Sequence, residues 1–205
     1  MPGEMVIHIV DDEEAVRKSL AFLLTMAGHT VRVHQSATDF LAVAPDLRDA
    51  CLLTDLRMPD MSGIDLLHQL RAAEAMLPAI VITGHGDVPM AVEAMKAGAM
   101  DFIEKPFEDE VLLKAIENAC RQAGNVDEVA TDAASLRGRL AQLTERERQV
   151  LDGVVAGLPN KTIAYDLNIS PRTVEVHRAN VMAKMQANSL PDLVRMVMLV
   201  DPSAL

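Results

Sequence analysis

Tryptophan is absent from this 205-residue sequence, and one tyrosine and four phenylalanines supply every phenyl ring. The cores must therefore be aliphatic, built from Leu, Val, Ile, Ala and Met. There are two cysteines, Cys51 and Cys120, too few for a disulfide framework or a cysteine-rich zinc site, and both fall in apolar surroundings as reduced thiols do. No apolar run approaches the ~20 residues of a spanning helix, and Met1-Pro2-Gly3-Glu4 lacks the basic-then-apolar layout of a signal peptide. A soluble, cytoplasmic protein with no membrane partner is expected. The six histidines show no metal-ligand spacing, and neither a P-loop nor a dinucleotide fingerprint is present. Positive charge is scarce as well: 19 bases stand against 30 acids, a net of −11 that over the whole chain argues against a nucleic-acid partner.

The length fits one large or two modest domains at ~100 to 200 residues each. From Val6 to Cys120 short β-branched runs alternate with helical stretches, the pattern of a parallel sheet wrapped by helices. Strands are expected at Val6 to Val10, Thr30 to Val33, Cys51 to Thr54, Ala79 to Thr83 and Asp101 to Glu104. Helices are expected near Glu14 to Met26, Ala37 to Val43, Gly63 to Ala72, Pro89 to Lys96 and Glu108 to Arg121. Small and acidic residues then read as a linker, in part helical. Beyond it only helical signals remain, and Gly157, Asn168 and Pro191 divide them into four helices. The expected division is 1–123, an α/β domain, 124–137, a linker, and 138–205, an all-α domain. Charge separates the same way: residues 1–124 carry 10 bases and 20 acids, 125–136 carry 3 acids, and 137–205 carry 9 bases and 7 acids. The acidity belongs to the first part and linker, so the last part, at +2, is open to a nucleic-acid partner.

In an open parallel sheet, ligands bind at the C-terminal strand ends. Here the first strand runs into Asp11-Asp12-Glu13-Glu14, the third into Asp55, the fourth into Thr83-Gly84 and the fifth into Lys105-Pro106. Carboxylates beside a lysine and a hydroxyl suit phosphoryl transfer to a carboxylate. Asp11, Asp12 and Asp55 are candidate ligands for Mg²⁺, a hard cation that offsets repulsion between nucleophile and phosphate. Asp55 is the candidate nucleophile, with Lys105 and Thr83 as partners for the phosphoryl oxygens. Any one of these acids alone reads better as an ordinary turn or helix-start residue; the ordered set does not.

Val10-Asp11-Asp12-Glu13, Thr54-Asp55 through Pro59 to Gly63, Val81-Ile82-Thr83-Gly84 and Phe102-Ile103-Glu104-Lys105-Pro106-Phe107 together resemble the receiver domain of two-component response regulators, over residues 4 to 122. The resemblance implies a flavodoxin-like five-stranded sheet of order 2-1-3-4-5. It implies phosphorylation of Asp55 by a sensor histidine kinase, and Mg²⁺ held by Asp11, Asp12, Asp55 and the backbone carbonyl of Arg57. It further implies Thr83 and Phe102 as a switch pair and a cis bond between Lys105 and Pro106. Phosphorylation adds nearly two negative charges and new acceptor oxygens, toward which Thr83 would move, leaving space for Phe102 to turn.

In the last part, Thr144-Glu145-Arg146-Glu147 is a capping box. A short helix from Asn160 to Leu167, a tight turn at Asn168-Ile169 and a Ser170-Pro171 helix start make a helix-turn-helix layout. On a helical wheel Val174, Val181 and Met185 form the core seam. Arg172, Thr173, Val176, Ala179, Asn180 and Ala183 point away from it, a small, polar face suited to a major groove. Glu175 can accept from a cytosine amino group and Val176 can touch a thymine methyl. Lys161, Arg172, Arg178 and Lys184 are candidate phosphate contacts, and His177 reads as a helix-packing or phosphate-contacting residue. From charge alone, a solvated face on a small helical domain is an equal reading.

Leu143 to Leu151, Gly157 to Ala164 and Ile169 to His177 resemble the LuxR-type DNA-binding domain, over residues 138 to 200. A receiver joined to such a domain is the arrangement of the NarL/FixJ family. The run from Ile82 to Gly98 and the recognition segment resemble its nitrogen-fixation members. The resemblance implies a transcription activator, no enzyme beyond slow autodephosphorylation, partnered by a FixL-like sensor histidine kinase, promoter DNA of nitrogen-fixation genes and RNA polymerase, and a homodimer when phosphorylated. Two other classes compete: an Asp-nucleophile phosphatase, whose second acid two places after the nucleophile is here Arg57, and an RNA-binding antiterminator.

Overall fold

The computed structural model describes residues 5–75, 77–84, 86–124 and 128–201. The N-terminal residues 1–4, His85 of the Ile82-to-Gly98 run and linker residues 125–127 therefore lie outside the described residues. Contacts group the chain into two units, one of 1–85 with 97–124 and one of 86–96 with 125–205.

In the first unit, β1 (Val6–Val10), β2 (Thr30–His34), β3 (Ala50–Asp55), β4 (Ala79–Thr83) and β5 (Asp101–Glu104) form one parallel sheet of order β2-β1-β3-β4-β5. β3 and β4 are buried almost end to end because helices cover both faces, whereas edge strand β2 keeps exposed positions. Interleaved are α1 (Glu14–Met26), α2 (Ala37–Leu41), α3 (Gly63–Ala72) and α5 (Asp109–Gly124), whereas α4 (Val88–Ala97), which follows β4 in the chain, groups with the second unit in all but its last residue. α2 stops two residues short of expectation, and Pro45 lies in a separate 3₁₀ turn over Ala44–Asp46. Gly28, at φ +92°, turns the chain out of α1 in a left-handed conformation that only glycine adopts freely. Ser62 and Asp65 close a capping box on α3. Leu112 and Ile116 of α5, both fully buried, anchor that helix on Ile9, Leu53 and Ile80, each burial contributing about 1.5–3 kcal/mol.

Register decides what meets at the rim. Val10 lies opposite Thr54, Asp55 opposite Ile82, and Thr83 opposite Glu104. The residues just past these ends share one edge, and β1 and β3 flank the point where strand order reverses.

The second unit holds α6 (Glu128–Leu140), α7 (Glu145–Val155), α8 (Asn160–Asp166), α9 (Pro171–Met185) and α10 (Leu190–Val200). α6 replaces most of the expected linker and extends the helical core toward the N-terminus: Leu136 and Leu140 pack with Leu151, Val181 and Leu193. A second cluster joins Val150 and Val154 of α7 to Ile163 of α8 and Val174 of α9. The Thr144 capping box forms in both directions. Asn168 takes the left-handed conformation, φ 53°, at the turn between α8 and α9, and Ser170 caps α9 with Pro171 in its first turn.

Candidate functional site

Asp11 leaves the end of β1 almost fully buried, 3% exposed. Its Oδ1 accepts the Glu13 N–H at 2.8 Å and its Oδ2 accepts from Lys105 Nζ at 3.2 Å. Asp55 closes β3; its Oδ1 accepts from the same Nζ at 2.9 Å and its Oδ2 accepts the Arg57 N–H at 2.7 Å. Lys105 thus bridges two carboxylates delivered by neighbouring strands. Burial pushes the Asp11 carboxyl above its ordinary range; the Glu13 N–H and Lys105 pull it back, and Asp55 adds to the rise. Burial alone would lower Lys105, but hydrogen bonding and charge from Asp55, then Asp11, hold it above its ordinary value. The ammonium is therefore firmly charged.

Thr83 ends β4 and is 1% exposed, and its carbonyl accepts the Lys105 N–H at 2.7 Å, so the backbone ties the lysine to the strand next to Asp55. Phe102 lies half-buried on β5 opposite Val81, and the Lys105–Pro106 bond is cis. Asp12 is exposed, and among the described residues no three His, Cys, Asp or Glu side chains are arranged as a metal-ligand group. The structure brings Asp11, Asp55 and Lys105 together and leaves Asp12 at the edge.

Three supporting residues escape the sequence reading. Arg17 Nη1 donates to the carbonyls of Asp11 at 2.7 Å and Asp12 at 2.9 Å, fixing the acidic loop. Asp60 Oδ2 accepts both the N–H and the hydroxyl of Thr38, each at 2.9 Å, fixing the loop after Asp55 against α2. Gly63 passes so close to the β3 end that a Cβ there would sit 2.5 Å from the Asp55 carbonyl oxygen. Arg17, one turn into the helix behind Asp-Asp-Glu-Glu, had a visible signal in its spacing; the other two depend on a loop path that no local pattern encodes.

In the helical unit, the wheel assignment of the seam agrees with burial: Val174 and Met185 are fully buried and Val181 is 1% exposed. Arg172, Glu175, Val176, Ala179 and Asn180 of α9 and Lys161 of α8 are exposed, and Thr173 is half-buried, with its N–H donating to Ser170 Oγ at 3.1 Å. Two basic candidates are occupied within the fold. Lys184 Nζ donates to Glu147 Oε2 at 2.6 Å and to the Gln142 carbonyl at 3.3 Å, which makes it a bridge from α9 to the α7 start instead of a free phosphate contact. Arg178 donates to Asn160 Oδ1 at 2.8 Å and is half-buried, so one edge of its guanidinium serves the α8 junction. His177 is half-buried, with a buried Nδ1, in keeping with helix packing.

The pattern of the response regulator receiver domain matches residues 7–117, and that of the bacterial regulatory proteins of the luxR family matches residues 141–197. Over 195 residues the chain is 67% identical to the transcriptional regulatory protein FixJ of Rhizobium meliloti (strain 1021), covering 95% of this chain and 96% of the relative. It is 46% identical over 192 residues to the response regulator protein TmoT of Ectopseudomonas mendocina, covering 94% and 87%. Among solved structures, full-length FixJ from B. japonicum is similar at a TM-score of 0.59 and 50% identity, covering 97% of this chain and 98% of that one.

Proposed function

Since the chain belongs to the response regulators that join a receiver domain to a LuxR-type DNA-binding domain, we propose that phosphorylation of Asp55 by a FixL-like sensor histidine kinase turns on its activation of nitrogen-fixation promoters. It is a transcription factor and not a classical enzyme. The observation that carries this reading is the Lys105 bridge between Asp11 and Asp55, at 3.2 and 2.9 Å, on the rim of a 2-1-3-4-5 sheet.

An Asp55 carboxylate oxygen forms the new bond to phosphorus as the bond to the donor breaks, and Lys105 neutralises charge spreading over the phosphoryl oxygens. The donor set around it is all oxygen, and burial leaves the Asp11 carboxylate in want of a cation, which suits a hard ion that takes one or two carboxylates and keeps waters. Asp11, Asp12, Asp55 and the Arg57 carbonyl would hold Mg²⁺, which supplies positive charge between nucleophile and phosphate. After transfer, Thr83 turns toward the phosphoryl group and Phe102 follows, which alters the surface of β5 and α5. Slow return to the free acid follows from water attack on the acyl phosphate.

The exposed face of α9 enters the major groove, with Glu175, Val176, Ala179 and Asn180 at base edges and Lys161 and Arg172 on phosphates, while Arg178 contributes its free edge. Phosphorylated chains dimerise, place two such helices on two half-sites, and recruit RNA polymerase. Treating the wild type and Asp55→Asn with acetyl phosphate and Mg²⁺, then measuring molar mass and promoter binding, tests the scheme. Wild type is expected to double its mass and tighten on DNA; an Asp55→Asn chain that does the same overturns it.

A further inference from the structure

Cys51 and Cys120 are the chain's two cysteines, far apart in sequence, and the rim chemistry uses neither. The fold brings them together. Cys51 lies on β3, fully buried in the aliphatic core, and Cys120, on the last turns of α5, packs half-buried on that same cluster. The side chain of each is the foremost influence on the ionisation of the other, and it acts in opposite directions: Cys51 is pushed well up, while Cys120 is drawn down to about 7. The outer sulfur is thus the more acidic of the two and the first to become the nucleophilic thiolate, and the inner one keeps its proton.

We propose that Cys51 and Cys120 are an oxidation site at which a hydroperoxide joins β3 to α5 through an intrachain disulfide. The Cys120 thiolate attacks one peroxide oxygen; an S–O bond forms, the O–O bond breaks, and the departing hydroxide takes a proton from solvent and leaves as water. The Cys51 sulfur then attacks the sulfenic sulfur of Cys120; the S–S bond forms, the S–O bond breaks, and the leaving hydroxide takes the Cys51 proton as a second water. Two thiols lose two electrons and one peroxide gains them. The crosslink encloses Asp55, Thr83 and Lys105 within one covalent loop without touching their charges.

The test exposes the full-length reduced protein to dilute hydrogen peroxide at pH 7.5 and follows intact mass and peptide maps. Wild type is expected to lose two hydrogens, to yield a peptide linking 51 to 120, and to regain both hydrogens with dithiothreitol. Cys120→Ser leaves Cys51 reduced, and Cys51→Ala halts at a Cys120 sulfenic acid that dimedone captures. The native chain should link at least tenfold faster than the same chain in urea, because the fold supplies the encounter. Peroxide-treated wild type that keeps both thiols, carries Cys120 to the sulfinic acid without a 51–120 peptide, or links faster in urea overturns the proposal.

Discussion

Burial works against the Asp11 carboxylate, since loss of water outweighs the Glu13 N–H and the Lys105 ammonium that hold it. A carboxyl whose folded pKa is raised stabilises the fold most below its unfolded value and loses that contribution as pH rises through the folded one. At pH 7 the charged group is therefore a cost kept for chemistry. Asp11→Asn should raise receiver stability by the usual yield of relieving a destabilised functional position, about 0.5–2 kcal/mol, while slowing phosphorylation by acetyl phosphate at least tenfold. Thermal melts and a phosphorylation time course check both halves, and a variant that is both less stable and fully active contradicts the argument. Gly63 is constrained from the opposite side: the methyl of Gly63→Ala meets the Asp55 carbonyl oxygen at 2.5 Å, where backbone has to give way. Overpacking of this kind costs about 1–3 kcal/mol, and because the displaced atom belongs to Asp55, the proposed phosphoacceptor, the same variant should also slow phosphorylation. Urea unfolding read beside the phosphorylation rate separates this from a purely local cost.

Between elements, the least expected contact is on β1 and β2, where His8 and His34 stack at 5.1 Å with Nδ1 of one 2.9 Å from Nε2 of the other, and Phe40 of α2 meets both rings edge-on. Burial lowers both, His8 to about 4, with His34 and then Arg32 adding to the fall. The fold holds this pair neutral, so its contribution is intact above the unfolded value of 6.5 and drains as pH falls toward 4. The receiver should lose roughly 2 kcal/mol from this source between pH 6.5 and about 5, and His8→Leu should flatten that segment of the pH profile in urea unfolding. At the α7–α9 junction the sign logic is that of a carboxylate. The hydrogen bond from Lys184, then the Thr144 N–H, draws Glu147 down to about 2, so its stabilisation is complete above the ordinary carboxylate value and goes as pH falls through about 2. Glu147→Gln should therefore weaken the helical unit at neutral pH and match wild type near pH 2, as circular dichroism melts would record. The strands were legible in advance because short β-branched runs alternate with helical stretches, and β1, β4 and β5 begin and end where that alternation places them. The rim residues were legible because they sit at strand ends: Asp11 and Lys105 directly follow β1 and β5, and Asp55 and Thr83 are the last residues of β3 and β4. α6 was not, because its first two turns are small and acidic and the stripe that holds it, Leu136 and Leu140, finds its partners on α7, α9 and α10. Lys184 and the histidine pair were hidden likewise: their partners are set by packing across elements, which no local spacing reports.

On the scale of the molecule, the net charge of −11 conceals two halves with different tasks, an acidic receiver of 10 bases and 20 acids and a faintly basic helical part of 9 and 7. Within that basic part, Lys184 is committed to Glu147 and Arg178 partly to Asn160, which leaves Lys161 and Arg172 as the exposed cations best placed for phosphates. Counterion release sets the salt dependence at a log–log slope of about −0.9 per phosphate neutralised, so one chain with two such contacts should bind DNA with a slope near −2. A phosphorylated pair on two half-sites should give a slope near −4, and linking the two binding events should raise affinity by ~10² or more without any new contact. Titrating promoter binding against salt by fluorescence anisotropy, with and without acetyl phosphate, reads both numbers. Lys161→Gln and Arg172→Gln should each lower the dimer slope by about 2, because each variant removes a contact from both chains, whereas Lys184→Gln should leave the slope in place and instead reduce the melting temperature of the helical unit. A slope that Lys184→Gln changes as much as Arg172→Gln does would mean that the Glu147 bridge opens on DNA and that the ammonium serves the phosphate after all.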